Sequence, residues 1–268
     1  MNNLRPRLRT VAALAALALT VAGCSTSVDV TLPSAASTTA TSPPTSSSPS
    51  SATSSSSNTS STSSAPTSAS GTPSPEDLVQ QISANFNSAK SAHLHASYTK
   101  DDETRTLDIV GTTDGSNQRT VLTINKNNVK AEIRTVAARV YVNGNAAYYQ
   151  YSGASSSRAK QVANRWLSIP LSTAASMTKD FALGTIFTDL KSNISKSEIA
   201  GLTVTASTHN GQQVWRAANG RTTIVAAADG SGRLISASND GLLNKQAYTF
   251  DQWDAAPTVE APANAITT

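Results

Sequence analysis

The stretch that decides the fold is Asn127-Asn128-Val129-Lys130-Ala131-Glu132-Ile133-Arg134-Thr135, followed shortly by Arg139-Val140-Tyr141-Val142-Asn143-Gly144. Val129, Ala131, Ile133 and Thr135 alternate with Lys130, Glu132 and Arg134, which is the period of a strand with one buried and one solvated face. Asn143-Gly144 favours the positive φ that a tight reversal needs. It predicts a hairpin that turns Arg139–Val142 back onto Tyr148-Tyr149-Gln150-Tyr151. At a hairpin these tyrosines read first as cross-strand packing. A second reading sets Tyr141, Tyr148, Tyr149, Tyr151 and Trp166 around a sugar- or lipid-facing mouth.

Turn signals continue in both directions. Upstream, Asp114-Gly115 separates a run ending at Val110 from one through Val121, Leu122 and Ile124. Downstream, Asn210-Gly211, Asn219-Gly220, Asp229-Gly230-Ser231-Gly232 and Asp240-Gly241 punctuate the last third, and reversals in such short order imply an antiparallel meander. Between these regions the period changes. Leu183, Ile186, Phe187 and Leu190 fall at helical spacing within Thr178–Lys191, with Thr178 as the expected cap and Phe181 near the start. A shorter helical turn is expected over Ser172–Met177. A first helix opens at Ser74: Pro75 suits the first helical position, Asp77 completes an S-x-x-D pattern, and Leu78, Ile82 and Phe86 share a stripe. The order of helix, strands, helices, strands predicts an α+β domain, an antiparallel sheet with helices gathered on one face. Ala206, Thr208, Ala226, Ala227 and Ala228 are expected at inward-facing strand positions. Such small side chains either leave room for a ligand or let helices pack close.

The N-terminal region supplies an address. Arg5, Arg7 and Arg9 precede an apolar run from Val11 to Leu19, the pattern of a secretory signal. That run falls short of the roughly 20 apolar residues that span a bilayer. Cys24 is the chain's one cysteine, so no disulfide can form within the chain. Val21-Ala22-Gly23 before it resembles the bacterial lipobox. The resemblance implies removal of a signal peptide, residues 1–23, by cleavage between Gly23 and Cys24. It also implies a thioether from Cys24 to diacylglycerol and an N-terminal acyl chain such as palmitate, holding the protein on the extracytoplasmic face of the cell membrane. Two acyl chains anchor firmly, at about 0.8 kcal/mol per buried methylene.

Residues 24–75 are almost wholly Ser, Thr, Ala and Pro, with no charge between Asp29 and Glu76. Such a segment buries too little apolar surface to offset its ordering entropy, and it reads as a disordered tether reaching about 40 Å. Serine- and threonine-rich stalks with proline are also O-glycosylation candidates. Residues 76–268 are long enough for one domain with a substantial core.

Charge and motifs exclude several function classes. The net charge is +4, and losing the three signal arginines leaves +1. A near-neutral body without a Lys/Arg stripe lacks the electrostatic footprint of a nucleic-acid binder. No G-x-S-x-G elbow occurs, and Ser176-Met177-Thr178-Lys179 fits S-x-x-K without its K-T-G and S-D-N partners. His93 and His95 would share a strand face, but zinc needs further ligands and only Asp101 and Asp102 are near in sequence. A solvent-facing pair is the better reading. His209 beside Asn210-Gly211 marks a hairpin edge. Gly230-Ser231-Gly232 sits in a turn and opens no phosphate-binding helix, and no carboxylates pair for acid–base work. Neither enzymatic activity, nor a cofactor, nor a metal is expected.

Three segments, in order behind the lipobox and the helix from Ser74, carry a family resemblance: Arg139 to Gly144, Asn164-Arg165-Trp166-Leu167-Ser168-Ile169-Pro170, and Tyr248-Thr249-Phe250-Asp251-Gln252-Trp253 running into Glu260-Ala261-Pro262. Over most of Pro75–Pro262 they resemble the mycobacterial lipoprotein family that includes LppX, LprA, LprF and LprG. The resemblance implies a strongly curved antiparallel half-barrel whose concave face is covered by helices, as in the LolA and LolB sorting proteins. It implies a space between sheet and helices that binds the acyl chains of a glycolipid or other envelope lipid for transport. Phe181, Ile186, Phe187 and Leu190 on the covering helix, with Val140, Val142 and Trp166 on the sheet side, are the candidate cavity residues. An empty apolar void costs on the order of 24 cal/mol per Å³, so a large one implies an occupant. The alternative is a tethered adaptor of the same fold with a filled core, and a continuous apolar void of several hundred Å³ separates the two.

Overall fold

The computed structural model describes residues 71–268 apart from 101, 194–198, 200, 242 and 243. Gly23, Cys24 and most of the tether lie outside the described residues. Helix α1 (Pro75–Ser88) starts on its sequence signal: the Ser74 hydroxyl accepts from the Asp77 N–H at 3.1 Å and donates to the Asp77 carboxylate at 2.7 Å. Its apolar stripe, Leu78, Ile82 and Phe86, is buried.

An up-and-down meander follows, built of β1 (Ser91–Lys100), β2 (Glu103–Thr112), β3 (Gln118–Ile124), β4 (Val129–Val136) and β5 (Arg139–Gly144). In β4 the burial alternates as the sequence predicts, with Val129, Ala131, Ile133 and Thr135 inside. The middle of the chain holds α2 (Ala146–Tyr151), α3 (Ser156–Val162), β6 (Leu167–Pro170), α4 (Leu171–Lys179) and α5 (Leu183–Asn193). A second antiparallel meander comprises β7 (Thr203–His209), β8 (Gln212–Ala218), β9 (Thr222–Ala227), β10 (Leu234–Asp240) and β11 (Asn244–Asp251). The β7–β8 reversal falls on Asn210-Gly211 and the β9–β10 reversal on Asp229–Gly232, whereas the β8–β9 reversal centres one residue later than Asn219-Gly220. Strands β10 and β11 stay paired through Asp240 and Lys245, so their reversal lies beyond Asp240.

The strands form one sheet in the order β12-β6-β5-β4-β3-β2-β1-β11-β10-β9-β8-β7, where β12 (Ile266–Thr267) runs parallel to β6. The two meanders therefore join at the centre, through β1 and β11, and grow outward in opposite directions. The curved sheet does not close, since β12 and β7 remain as edges.

Three expectations are corrected. Tyr148–Tyr151 is not a strand. The Asn145 side chain accepts from the Tyr148 N–H at 2.8 Å and caps α2, and burying Tyr148 and Tyr149 on a helix outweighs the hairpin signal. Gly144 ends β5, whose second neighbour is β6 instead. Thr178 is no cap, because α4 runs through it and its hydroxyl donates back to the Ala174 and Ala175 carbonyls; Phe181 lies in the break before α5. Finally, Ala206 and Thr208 are exposed on edge strand β7, whereas Ala226 and Ala227 are buried.

Helices cover one face of the sheet over two neighbouring apolar clusters, with Leu107 packed against both. In the first, Leu78, Ile82 and Phe86 of α1 meet Leu183 and Phe187 of α5 above Leu94, Ile109, Ile224 and Phe250. Phe86 stacks on Phe187 with ring centroids 4.5 Å apart, Phe250 and Trp253 flank the pair at 5.6–6.0 Å, and those two rings stack on each other at 5.5 Å. In the second, Tyr148, Ala159, Val162 and Phe181 fill the space over Leu122, Ile133, Val140 and Val142.

Candidate functional site

An open apolar cavity of about 630 Å³ lies within the first cluster, on the side of the second meander. Ile82 and Phe86 of α1 and Leu190 of α5 line it from the helices, and Ile224, Ala237 and Tyr248 from the sheet. It lies where the inward position of β10 is short, at Ala237, while α1 and α5 pack over the central strands. Burial pushes the Tyr248 phenol above its usual pKa, and the charge of Asp189 on α5 adds to the shift. That phenol stays neutral and donates to the Gln246 side chain at 3.4 Å. At the rim, turn residues Asn219 to Thr222 face Asn239 and Asn244 across the two hairpin ends.

The sequence candidates separate. Leu190 lines the cavity, and Ile186 and Phe187 pack in the same cluster behind it. Val140, Val142 and Phe181 belong to the second cluster, where each is at most 4% exposed. Trp166 lies against the guanidinium of Arg134, 4.9 Å from its ring centroid. The strand-side residues Ile224, Ala237 and Tyr248 were missed by sequence reading. Their only signal was the alternation of β9 to β11, which reports a face and not which stretch of that face lacks a covering side chain.

The opposite face carries an ion ladder that crosses five strands. His93 on β1 bridges Asp251 at 2.8 Å and Asp108 at 3.0 Å; Arg119 reaches Asp108 at 3.7 Å and Glu132 at 2.8 Å, and Arg134 reaches Glu132 at 2.8 Å. Partial burial alone would lower the His93 pKa, but its hydrogen bonds to Asp108 and Asp251 and their charges outweigh it and raise the pKa above the ordinary value. For Glu132, burial pulls upward, yet the hydrogen bonds and charges of Arg119 and Arg134 hold its pKa down. His95 also faces Asp108, at 3.6 Å, so strands distant in sequence bring a carboxylate to both histidines. Among the described residues no group of three or more such side chains is placed to hold a metal ion. No helix of the described residues is long and apolar enough to cross a membrane.

No family model and no curated protein matches the chain. Among solved structures it is similar to the lipoprotein LppX of Mycobacterium tuberculosis, at 14% identity over 69% of this chain and 98% of that one, with a TM-score of 0.40. It is also similar to LprF of Mycobacterium bovis, at 15% identity over 72% of this chain and 100% of that one, with a TM-score of 0.42. The chain resembles mycobacterial lipoproteins. Both names fall within the family that the sequence resemblance indicated.

Proposed function

We propose that this protein is a membrane-anchored extracytoplasmic lipoprotein that binds or carries an acylated (glyco)lipid of the cell envelope, without covalent chemistry. The observation that carries the reading is the cavity between α1, α5 and the second meander. Its volume of about 630 Å³ and its aliphatic and aromatic walls lie within the range of small-molecule sites, about 300–1,000 Å³. A purely structural adaptor has no need of an open apolar space of this size beside a well-packed second cluster. The lipid anchor at Cys24 and the tether would place the cavity within reach of the membrane it draws from.

The test is to extract organic-soluble material from the purified protein and analyse it by mass spectrometry, then repeat with Leu190→Trp. An indole at Leu190 projects into the cavity, so loading should fall by most of its wild-type value while thermal unfolding stays cooperative. A wild-type protein that neither carries nor takes up any acyl lipid would sink the carrier reading.

A further inference from the structure

On the helix-covered face, strand register arranges the strands that floor the cavity and those beside it into rows of graded polarity. Leu94 pairs with Phe250 at the apolar end. One row nearer the β10–β11 turn stand Ile224, Ala237, Tyr248 and Ala96. The next row is Thr222, Asn239, Gln246 and Tyr98. From the buried Phe250 through Tyr248 to Gln246, β11 thus passes from hydrocarbon to amide within four residues, about 13 Å of strand, and the last two of these side chains line the cavity. The Asn239 amide donates to the Thr222 hydroxyl at 3.0 Å, which fixes its orientation and leaves its carbonyl oxygen to accept another bond. Gln246 accepts from Tyr248, which leaves its amide N–H groups to donate. Among the described residues that line the cavity, Arg221 is the one charged side chain.

We propose that Thr222, Asn239 and Gln246, with Arg221 beside them, form a headgroup subsite. It orients an amphiphile with its chain toward Phe86 and Leu234 and its head beside the β8–β9 turn. The head it fits bears hydroxyl groups, because side-chain amides offer both donor and acceptor. A neutral or anionic head suits the subsite better than a cationic one, because the one charged side chain among the described lining residues is Arg221. This rests on the reading that the cavity takes an acyl chain.

Trp253 reports the chain end. Its ring lies 5.9 Å from Phe86 and its indole N–H donates to the Leu234 carbonyl at 3.0 Å, and both Phe86 and Leu234 line the cavity. In protein carrying Trp166→Phe and Trp215→Phe, Trp253 alone emits. Monoacylglycerols brominated at the chain terminus should quench it several-fold more than those brominated beside the ester. Equal or reversed quenching overturns the orientation while leaving acyl binding intact. No quenching by either probe shows that no chain enters, and the carrier reading fails with the subsite. In a second measurement, Asn239→Leu with Gln246→Leu should weaken binding of monopalmitoylglycerol by about tenfold and leave methyl palmitate unchanged. Equal losses for both ligands overturn the headgroup role.

Discussion

His93 shows how a residue can be legible in kind and illegible in partner. Its spacing from His95 placed both on one strand face, but Asp108 and Asp251 come from β2 and β11, which only the sheet brings alongside β1. Because the folded His93 pKa lies above the unfolded value of about 6.5, its contribution to stability is fully present below that pH and is lost as pH rises through the folded pKa. Thermal melts of wild type and His93→Gln should therefore differ most between about pH 5 and 6.5, with the gap closing at higher pH. A gap that stays constant up to pH 9 would show that His93 acts through neutral hydrogen bonds alone.

At the scale of elements, the two reversals around β5 are instructive in opposite ways. Asn143-Gly144 carries the composition of a turn and does not make one. Gly144 is required because a Cβ there would run into the Tyr148 ring, and Asn145 is required as the cap of α2. Ala137-Ala138 carries no turn signal, yet both residues adopt positive φ, 49° and 61°, and reverse the chain between β4 and β5. Each alanine in the left-handed region costs about 1 kcal/mol or more. Both are exposed, and the hydrogen bond at this turn, from the Leu171 N–H to the Ala138 carbonyl, survives substitution. Ala137→Asn with Ala138→Gly should therefore raise stability by about 1–2 kcal/mol in urea unfolding. A neutral or destabilising effect would mean that the turn is held by its flanking strands, with little strain in the alanines.

At the scale of the whole molecule, the C-terminal segment ties the two meanders together. After Trp253 closes the aromatic cluster, the Asp254 carboxylate accepts from the Lys90 N–H at 2.7 Å. Val259 exchanges hydrogen bonds with the Asn117 side chain at 2.8 Å each, the Glu260 carbonyl accepts from Arg134 at 3.0 Å, and Ile266–Thr267 adds β12 at the far edge. This strap holds the ends of the first meander in place while leaving the mouth over the second meander uncovered. The proposed anchor acts at the same scale, through a residue remote in sequence from the cavity. Cys24→Ser should release the protein to the medium or leave it unprocessed in cell fractionation, and normal membrane retention would contradict lipidation.

The sequence by itself determined which segments are strands and helices over most of the domain, because period and turn chemistry are local: the alternation in β4, the reversals at Asn210-Gly211 and Asp229–Gly232 and the cap of α1 needed no distant partner. It also determined that one apolar face exists and that Leu190 and its helical neighbours belong to it. Tertiary structure alone decided that β1 pairs with β11, that Val140 and Val142 sit in the filled half, and that the space falls between Leu190, Ile224, Ala237 and Tyr248. The reason is physical. A side chain's face follows from its own neighbours along the chain, whereas a cavity is the absence of a side chain from some other segment, and no local pattern records what fails to arrive.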